Sequence, residues 1–262
     1  MNSDKVVNHI SKWLLEYAKN AKVNGFVIGI SGGIDSAVTS TLCALTGLPT
    51  LCVEMPIYQA ESQVNRGKEH INQLKRNFAN VDSTKVDLTN TFESFKNLFP
   101  TIASDNIELP LANSRARLRM TTLYYYAGTR NYLVVGTGNK VEDFGVGFYT
   151  KYGDGGVDVS PIADLLKSEV FELGRFLGVP QSILEAKPTD GLFGDNRSDE
   201  DQIGASYDEL EWAMQQLAEG KNSADFTGRN REVFEIFTRL NKANQHKMQP
   251  IPICKVSEEV KF

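Results

Sequence analysis

The residues of this chain best suited to chemistry form a short polar segment, Ser31-Gly32-Gly33-Ile34-Asp35-Ser36. The segment follows an apolar run and precedes a helical pattern, so its backbone N–H groups can converge on an anion at a helix N-terminus. Two glycines let the backbone approach a ligand closely, and two serines add hydroxyl groups. The pattern therefore predicts a phosphate site at residues 31–36.

The same segment limits which phosphate group it can hold. It contains no lysine, and neither the Walker pattern G-x-x-x-x-G-K-[ST] nor the Rossmann pattern G-x-G-x-x-G occurs there. We therefore expect it to hold pyrophosphate rather than a transferable γ-phosphate. An ordinary glycine turn with a serine N-cap would explain the glycines and Ser36, but not Asp35. A carboxylate beside phosphates is repulsive unless a cation lies between them, so Asp35 is predicted to be a Mg²⁺ ligand.

The elements that must position this loop alternate between strands and helices. Periodicity predicts an opening helix at 5–20, strands at 25–30, 51–55, 83–88 and 132–136, and helices at 36–45, 62–78, 89–98 and 113–127. Such alternation indicates parallel βαβ units. The predicted fold class is therefore α/β, with a doubly wound parallel sheet.

The second half of the chain differs in character. Residues 138–164 are rich in Gly and Asp and lose periodicity, which predicts a functional loop at the end of a strand. Helical patterns return at 167–177, 181–186, 207–219 and 231–246, with a polar stretch at 187–201. No repeat or linker is visible, so we predict a single domain over 1–262 with a helical C-terminal extension.

Composition excludes several classes of protein. The 262 residues include 28 Lys and Arg against 33 Asp and Glu, a net charge of −5 that is unlike a nucleic-acid binder. The apolar runs are too short to span a bilayer, and neither a secretory leader nor a lipidation motif is visible, so a cytoplasmic protein is expected. Three cysteines without metal-ligand spacing indicate neither a disulfide framework nor a zinc site.

At residues 31–36 the chain resembles the N-type ATP pyrophosphatases, whose S-G-G-x-D-S loop holds the β,γ-phosphates while the α-phosphate is attacked. Further motifs are similar to those of the ammonia-dependent NAD synthetases. They are G-T-x-x-x-x-E at 136–142, T-K-Y-G-D-G-G-V-D at 150–158, Pro161, Lys167, Pro188-Thr189 and His246-Lys247. The resemblance implies an adenine nucleotide alpha hydrolase-like fold. It also implies adenylation of deamido-NAD by ATP, followed by attack of ammonia to give NAD, AMP and pyrophosphate.

The resemblance also assigns roles to individual residues. It implies an ATP site of Gly29, Ile30, Ser31, Gly32, Gly33, Ile34, Asp35, Ser36, Thr137, Lys167 and Thr189. Asp35 and Lys167 are the expected catalytic residues, since Lys167 would neutralise ATP phosphate. Glu142 is expected to share Mg²⁺ with Asp35.

The implied deamido-NAD site consists of Arg117, Lys151, Asp158, His246 and Lys247, with Asp158 as the expected acceptor from a ribose hydroxyl. Arg117 is preferred over its helical neighbours because it matches the family's A-R-x-R-M string, although an ordinary solvated arginine is the alternative. His246 and Lys247 could instead cap the last helix, because both residue types favour helix C-termini. The spacing from Glu142 to Lys151 is one residue longer than in the family's pattern.

Residues 190–201 are polar and rich in Asp and Gly, and they follow Thr189 directly. They predict a lid over ATP and the adenylate, with a disordered surface loop as the alternative. The family also implies a homodimer in which the deamido-NAD site is shared between subunits. No glutaminase domain is expected within the 262 residues, so free ammonia is the expected nitrogen source.

Two rival functions remain at this stage. A tRNA-thiolating or lysidine-forming relative of the same group would need RNA, and the net charge disfavours it. A nucleotide-binding sensor on a similar fold would need neither Asp35 nor Glu142. ATP cleavage to AMP that depends on deamido-NAD distinguishes the enzyme from the sensor.

Overall fold

The computed structural model describes residues 1–100, 107–189 and 198–262. In this part of the chain, parallel strands form a sheet in the order β3-β2-β1-β4. Phe26 of β1 lies opposite Thr50 of β2 on one side and Leu133 of β4 on the other, and Thr50 lies opposite Val81 of β3. The strands are β1 (Gly25–Gly29), β2 (Thr50–Glu54), β3 (Val81–Lys85) and β4 (Tyr132–Val134).

The helices occur largely where the apolar periodicity predicts them. They are α1 (Ser3–Ala21), α2 (Ile34–Leu45), α3 (Glu61–Asn77), α4 (Thr89–Lys96), α5 (Glu108–Arg130), α6 (Lys167–Phe176), α7 (Gln181–Leu184), α8 (Asp199–Ile203), α9 (Tyr207–Ala218), α10 (Gly228–Met248) and α11 (Glu258–Lys261). A π-helical turn covers Val141–Val146, and a 3₁₀ turn covers Ser223–Asp225. None of the helices within the described ranges is long and apolar enough to cross a bilayer.

Helices cover both faces of the sheet. Successive side chains of a strand point to opposite faces. Phe26 and Ile28 accordingly pack in a cluster with α1, α2 and α6, whereas Val27 packs with Phe92 of α4 and Ala127 of α5. The predicted doubly wound α/β architecture is therefore confirmed.

A second, smaller core supports the C-terminal helices. Val141 and Val146 of the π-helical turn pack with Leu210 of α9 and Phe237 of α10. This core confirms the predicted helical extension and places it against the segment that follows β4. Residues 138–164, predicted as an irregular loop, thus include a helical turn as well as a parallel bridge between Val135 and Val159.

One strand lies two residues earlier than predicted. The apolar residues Val86 and Leu88 suggest a strand at 83–88, but β3 ends at Lys85, which pairs with Glu54 at the end of β2. The Val86 N–H still donates to the Glu54 carbonyl. The Leu88 N–H also donates to the Pro56 carbonyl at 3.1 Å, but Pro56 has no N–H to donate in return, so regular pairing of the two strands ends there. The length of β3 is therefore set by its neighbour.

A buried histidine joins α2 and α3 and predicts a loss of stability in acid. His70 Nε2 lies 2.8 Å from Ser40 Oγ, and burial lowers the pKa of His70 to about 4. Below the unfolded-state pKa of ~6.5, the histidine binds a proton in the unfolded chain but not in the folded chain. This histidine should therefore remove about 2 kcal/mol of the free energy of unfolding between pH 7 and pH 5.

Urea denaturation at the two pH values measures this loss. His70→Gln cannot titrate and should reduce the pH dependence by about the same amount, whatever its stability at pH 7. His9→Gln, at an exposed position of α1, should leave the pH dependence unchanged. An equal pH dependence in His70→Gln and the original protein would contradict the prediction.

Candidate active site

The phosphate loop lies between β1 and α2, at the carboxyl end of a central strand. Gly33 precedes α2 without a side-chain cap, so the first N–H groups of the helix are available to a ligand. Ser36 Oγ donates to the Gly33 carbonyl at 3.0 Å, and Ser31 Oγ accepts from the Gly33 N–H at 3.2 Å. The serines therefore hold the loop in shape in addition to offering hydroxyl groups.

Gly32 is required by both conformation and space. Its φ is +82°, in the left-handed region, and a Cβ there would lie 2.3 Å from the carbonyl oxygen of Gln63 on α3. The loop thus touches the backbone of α3 directly. No residue other than glycine fits this contact without moving α3.

Behind the loop, one lysine joins two carboxylates from distant parts of the chain. Lys167 Nζ lies 2.6 Å from Asp35 Oδ2 and 2.9 Å from Glu142 Oε1. The lysine side chain is 3% exposed, whereas the carboxylates are 17% and 16% exposed. Asn139 connects the same two residues, since its Nδ2 donates to Asp35 Oδ1 and its Oδ1 accepts from the Glu142 backbone N–H.

Charge interactions within this cluster oppose the effect of burial. Burial alone would lower the pKa of Lys167, but Asp35 and Glu142 outweigh it and raise that pKa, so the lysine is charged at neutral pH. Burial would raise the pKa of Glu142, but Lys167 and a hydrogen bond from Tyr207 lower it. For Asp35, burial dominates and raises the pKa. Glu142 is thus the more firmly ionised carboxylate.

A cavity brings the predicted ATP residues together at the carboxyl edge of the sheet. Residues 29–36 line one wall, and Thr137, Glu142, Lys167 and Thr189 line others. The loops after β1 and β4 meet here, where the chain's strand order reverses, which is the usual ligand position in an open α/β sheet. All the residues proposed for ATP therefore face one space, together with both proposed metal ligands.

The residues proposed for deamido-NAD lie outside that cavity. Exposed Arg117 donates to the Lys151 carbonyl at 3.3 Å, and Lys151 Nζ donates to the His246 carbonyl. Lys247 lines a small adjoining cavity, where its Nζ donates to the carbonyls of Gly147 and Tyr149. These four residues thus form one connected surface beside the cavity, and their binding role stays a prediction.

Asp158, the proposed ribose-hydroxyl acceptor, has partners within its own fold. Its Oδ2 accepts from the Val134 N–H at 2.8 Å, and its Oδ1 accepts from the Tyr124 hydroxyl at 3.0 Å. The side chain therefore fastens the segment after β4 to α5. A carboxylate oxygen can accept more than one hydrogen bond, so a role toward ribose also stays a prediction.

Several cavity residues were not anticipated. Arg119 lines the cavity, two positions after Arg117 in the same A-R-x-R-M string, and its Nε donates to the Met55 carbonyl at 3.0 Å. Arg66 of α3 also lines it. The string could have indicated Arg119, but Arg66 belongs to no motif.

Asp143 adds a further carboxyl group to the cavity wall. Burial raises its pKa to about 8, helped by the nearby carboxylates Glu142, Asp154 and Asp35. Asp143 and Glu142 both lie in the π-helical turn Val141–Val146, a form that holds more residues per turn than an α-helix.

The predicted lid at 190–201 falls mostly outside the described residues. Within its described end, Ser198 caps α8, since its Oγ accepts from the Asp201 N–H at 3.1 Å. Ser198 and Asp199 are buried, and Asp199 lines the cavity. The end of the segment is thus anchored beside the site.

The donor set can be tested against Mg²⁺. No group of three or more His, Cys, Asp or Glu side chains with metal-site geometry occurs in residues 1–100, 107–189 and 198–262. Mg²⁺ is commonly held by only one or two carboxylates, with waters and substrate phosphates completing its shell. Asp35 and Glu142 both contact the ammonium group of Lys167 beside the phosphate loop. The residues present therefore fit Mg²⁺ bound together with a nucleotide.

Comparison with known proteins identifies the family. A sequence model of the NAD synthase family matches residues 6–251. The chain belongs to this family. An NH(3)-dependent NAD(+) synthetase from Syntrophomonas wolfei subsp. wolfei is 36% identical to this chain over 264 residues, and the match covers 100% of both proteins.

Two further relatives support the assignment of the chain to the NAD synthase family. An NH(3)-dependent NAD(+) synthetase from Mesoplasma florum is 40% identical over 213 residues, covering 80% of this chain and 84% of that protein. The solved structure of NMN synthetase from Francisella tularensis has a TM-score of 0.84 and 31% identity, covering 98% of this chain and 100% of that chain. These matches confirm the predicted family and fold.

Tyr207 supports the proposed metal ligand and provides a test of it. Its hydroxyl donates to Glu142 Oε1 at 2.6 Å, and Lys167 Nζ lies 4.7 Å from its ring centroid. Removing a residue that orients a metal ligand commonly weakens metal binding 10–100-fold. We therefore expect Tyr207→Phe to raise the Mg²⁺ concentration for half-maximal ATP binding by about 10–100-fold.

Calorimetric titration with ATP at a series of Mg²⁺ concentrations measures this effect. Tyr17→Phe, at an exposed position of α1, is the matched control and should bind as the original protein does. An unchanged Mg²⁺ requirement in Tyr207→Phe would mean that Glu142 needs no help from the hydroxyl, or is not a metal ligand.

Proposed function

We propose that this protein joins ammonia to the nicotinate carboxylate of deamido-NAD, using ATP and giving NAD, AMP and pyrophosphate. The observation that carries the proposal is the meeting of the phosphate loop with the Asp35–Lys167–Glu142 cluster in one cavity. Membership of the NAD synthase family and the NH(3)-dependent NAD(+) synthetases among its relatives support the substrates.

The first step activates a poor electrophile. A carboxylate resists attack by ammonia because oxide is a poor leaving group. A nicotinate oxygen therefore attacks the α-phosphorus of ATP, the bond to the β,γ-phosphates breaks, and pyrophosphate leaves. The N–H groups of the phosphate loop and of α2 hold the departing pyrophosphate, and Lys167 offers positive charge beside the phosphates.

Mg²⁺ would neutralise negative charge on the phosphates when bound. Asp35 and Glu142 would hold it, since both carboxylates already face one cation in the cavity wall. In the structure, Lys167 supplies the positive charge that keeps these carboxylates together. The lysine thus prearranges the ligands before nucleotide arrives.

The second step replaces AMP with ammonia. Neutral NH₃ attacks the acyl carbon of the adenylate, the C–O bond to AMP breaks, and the attacking nitrogen loses a proton as the amide forms. Water would hydrolyse the same adenylate, so the site must exclude it. We propose free ammonia as the nitrogen source, in line with the NH(3)-dependent relatives.

We further propose that deamido-NAD binds at the surface formed by Arg117, Lys151, His246 and Lys247, completed by a second copy of the chain. The family resemblance supports a homodimer, and so do the neighbouring aromatic side chains Tyr124 and Tyr125 on α5, which are 36% and 65% exposed. Light scattering at micromolar concentration tests this proposal. A monomer would overturn the shared site.

A second substrate is favoured by one observation. The solved structure with 31% identity is that of an NMN synthetase, and the match covers nearly all of both chains. The mononucleotide carries the same nicotinate carboxylate as deamido-NAD but lacks the AMP half. Adenylation and amidation of nicotinate mononucleotide to give NMN would use the same ATP site and chemistry.

The test is amide formation by the purified protein with ATP and Mg²⁺. Deamido-NAD and nicotinate mononucleotide are compared as acceptors, and ammonium and glutamine as nitrogen donors, with Asp35→Asn as the inactive control. We expect an amide with ammonium alone, lost in the variant. The ratio of kcat/KM for the acceptors decides between NAD and NMN synthesis.

Other results point elsewhere. ATP binding without amide formation from either acceptor would overturn the proposal and indicate another adenylated substrate. AMP release that requires RNA would favour the RNA-modifying members of the ATP pyrophosphatase group.

A further inference from the structure

Arg66 of α3 contacts the phosphate loop, although it belongs to none of the motifs that define the loop. Its Nε donates to the carbonyl oxygen of Gly32 at 3.1 Å, and its side chain lines the cavity. The contact occurs where α3 approaches Gly32 so closely that a Cβ would collide with the backbone of Gln63 and Gly67. Arg66 is thus held against the loop by the packing of the helix.

Among the residues that the structure describes, the charge of Arg66 has no carboxylate counterpart. Across residues 1–100, 107–189 and 198–262, no carboxylate lies within ion-pair distance of its guanidinium. Burial lowers its pKa, and no neighbouring group raises it, although it stays charged at neutral pH. Taking a cation partly out of water without a partner is unfavourable, so the arrangement is suited to an anion supplied from outside.

The phosphate loop, in turn, has no cation of its own. Residues 31–36 contain no lysine or arginine, and the charge of Lys167 is already shared between Asp35 and Glu142. A pyrophosphate group carries several negative charges that the loop N–H groups stabilise but cannot neutralise. The planar guanidinium of arginine suits phosphate oxygens, and only its Nε is occupied by Gly32.

We propose that Arg66 is a phosphate-binding residue that contacts the β,γ-phosphates of ATP and the pyrophosphate product. It supplies from α3 the positive charge that the loop lacks. The inference rests on the proposed function for the identity of the pyrophosphate. It predicts that Arg66 affects ligands with β,γ-phosphates and does not affect AMP.

The test uses two substitutions that separate charge from position. Glutamine places its Nε2 where arginine has Nε, so Arg66→Gln can keep the hydrogen bond to Gly32 while it removes the charge. Arg66→Met removes both the donor and the charge. Arg76→Gln, at an exposed position of the same helix, is the matched control.

Calorimetric titration of each variant with inorganic pyrophosphate, and separately with AMP, gives the readout at fixed Mg²⁺. We expect Arg66→Gln to weaken pyrophosphate binding by about 10–100-fold, since a charge-assisted hydrogen bond contributes ~1.5–3 kcal/mol, and to leave AMP binding within twofold. We also expect its pyrophosphate affinity to fall less with added salt than that of the original protein. Arg66→Lys keeps the charge and should retain most of the affinity.

Other outcomes overturn the inference. Normal pyrophosphate binding in Arg66→Gln with weak binding in Arg66→Met would mean that Arg66 only positions the loop. Equal losses for pyrophosphate and AMP would mean general damage to the site. These results are distinct from failure of the proposed function, in which the original protein forms no amide even though pyrophosphate still binds.

Discussion

Replacing Lys167 with methionine is expected to lower the free energy of unfolding by about 3–5 kcal/mol at neutral pH. The lysine is 3% exposed and is the cation between Asp35 and Glu142. Without it, two carboxylates face each other in a partly dehydrated site, and one must take up a proton or move. Amide formation should fall on the order of 10²–10³-fold, because a preplaced positive charge is lost beside the phosphates.

Thermal unfolding and steady-state kinetics measure the two effects. Lys140→Met is the matched control, since Lys140 pairs with Asp164 at 2.8 Å but both side chains are exposed. Exposed pairs contribute ~0–1 kcal/mol, so the control should change little. Mg²⁺ should raise the unfolding temperature of Lys167→Met more than that of the original protein, because it can replace the missing cation. Equal stability of the two methionine variants would refute the structural role of Lys167.

Gly32→Ala is expected to raise the KM for ATP by at least about 10²-fold, because the backbone N–H groups that bind the phosphates are displaced. The left-handed φ of +82° alone costs alanine about 1–2 kcal/mol. The larger effect is steric, since the new Cβ would lie 2.3 Å from the Gln63 carbonyl oxygen. The loop and α3 cannot both keep their positions, so the N–H groups no longer converge on the phosphates.

Gly47→Ala separates these two causes. Gly47 also has a positive φ, +77°, but no heavy atom lies within 4 Å of a Cβ built there. It should lose stability to a similar extent through φ and bind ATP normally. Calorimetric titration with ATP and unfolding of both variants test the comparison. Normal ATP binding in Gly32→Ala would contradict the proposed contact between the phosphate loop and α3.

The local parts of the site could be predicted from the sequence because neighbouring residues determine them. Residues 25–36 combine an apolar run, paired glycines and a helix start, and the structure places β1, the phosphate loop and α2 there. The helices of the C-terminal extension likewise follow from apolar spacing. Boundaries were less certain where a neighbouring strand decides them, as at Lys85, whose ladder partner is Glu54.

The parts that could not be predicted depend on contacts between distant residues. Lys167 was expected to neutralise phosphate, but its partners in the structure are carboxylates 132 and 25 residues away. Arg66 reaches the loop only because α3 packs against Gly32. The choice of Arg117 over Arg119 likewise depends on which side of α5 faces the cavity. Periodicity places residues on a helix but does not give that helix its neighbours.

The position of β1 in the middle of the sheet has a consequence for how the protein is made. The phosphate loop leaves the ribosome early, whereas β4 and Lys167, which complete its surroundings, are synthesised much later. A nascent chain that ends before α6 therefore has the loop but not the cluster that organises Asp35. During synthesis, nucleotide can therefore meet the complete Asp35–Lys167–Glu142 cluster only after α6 has been made.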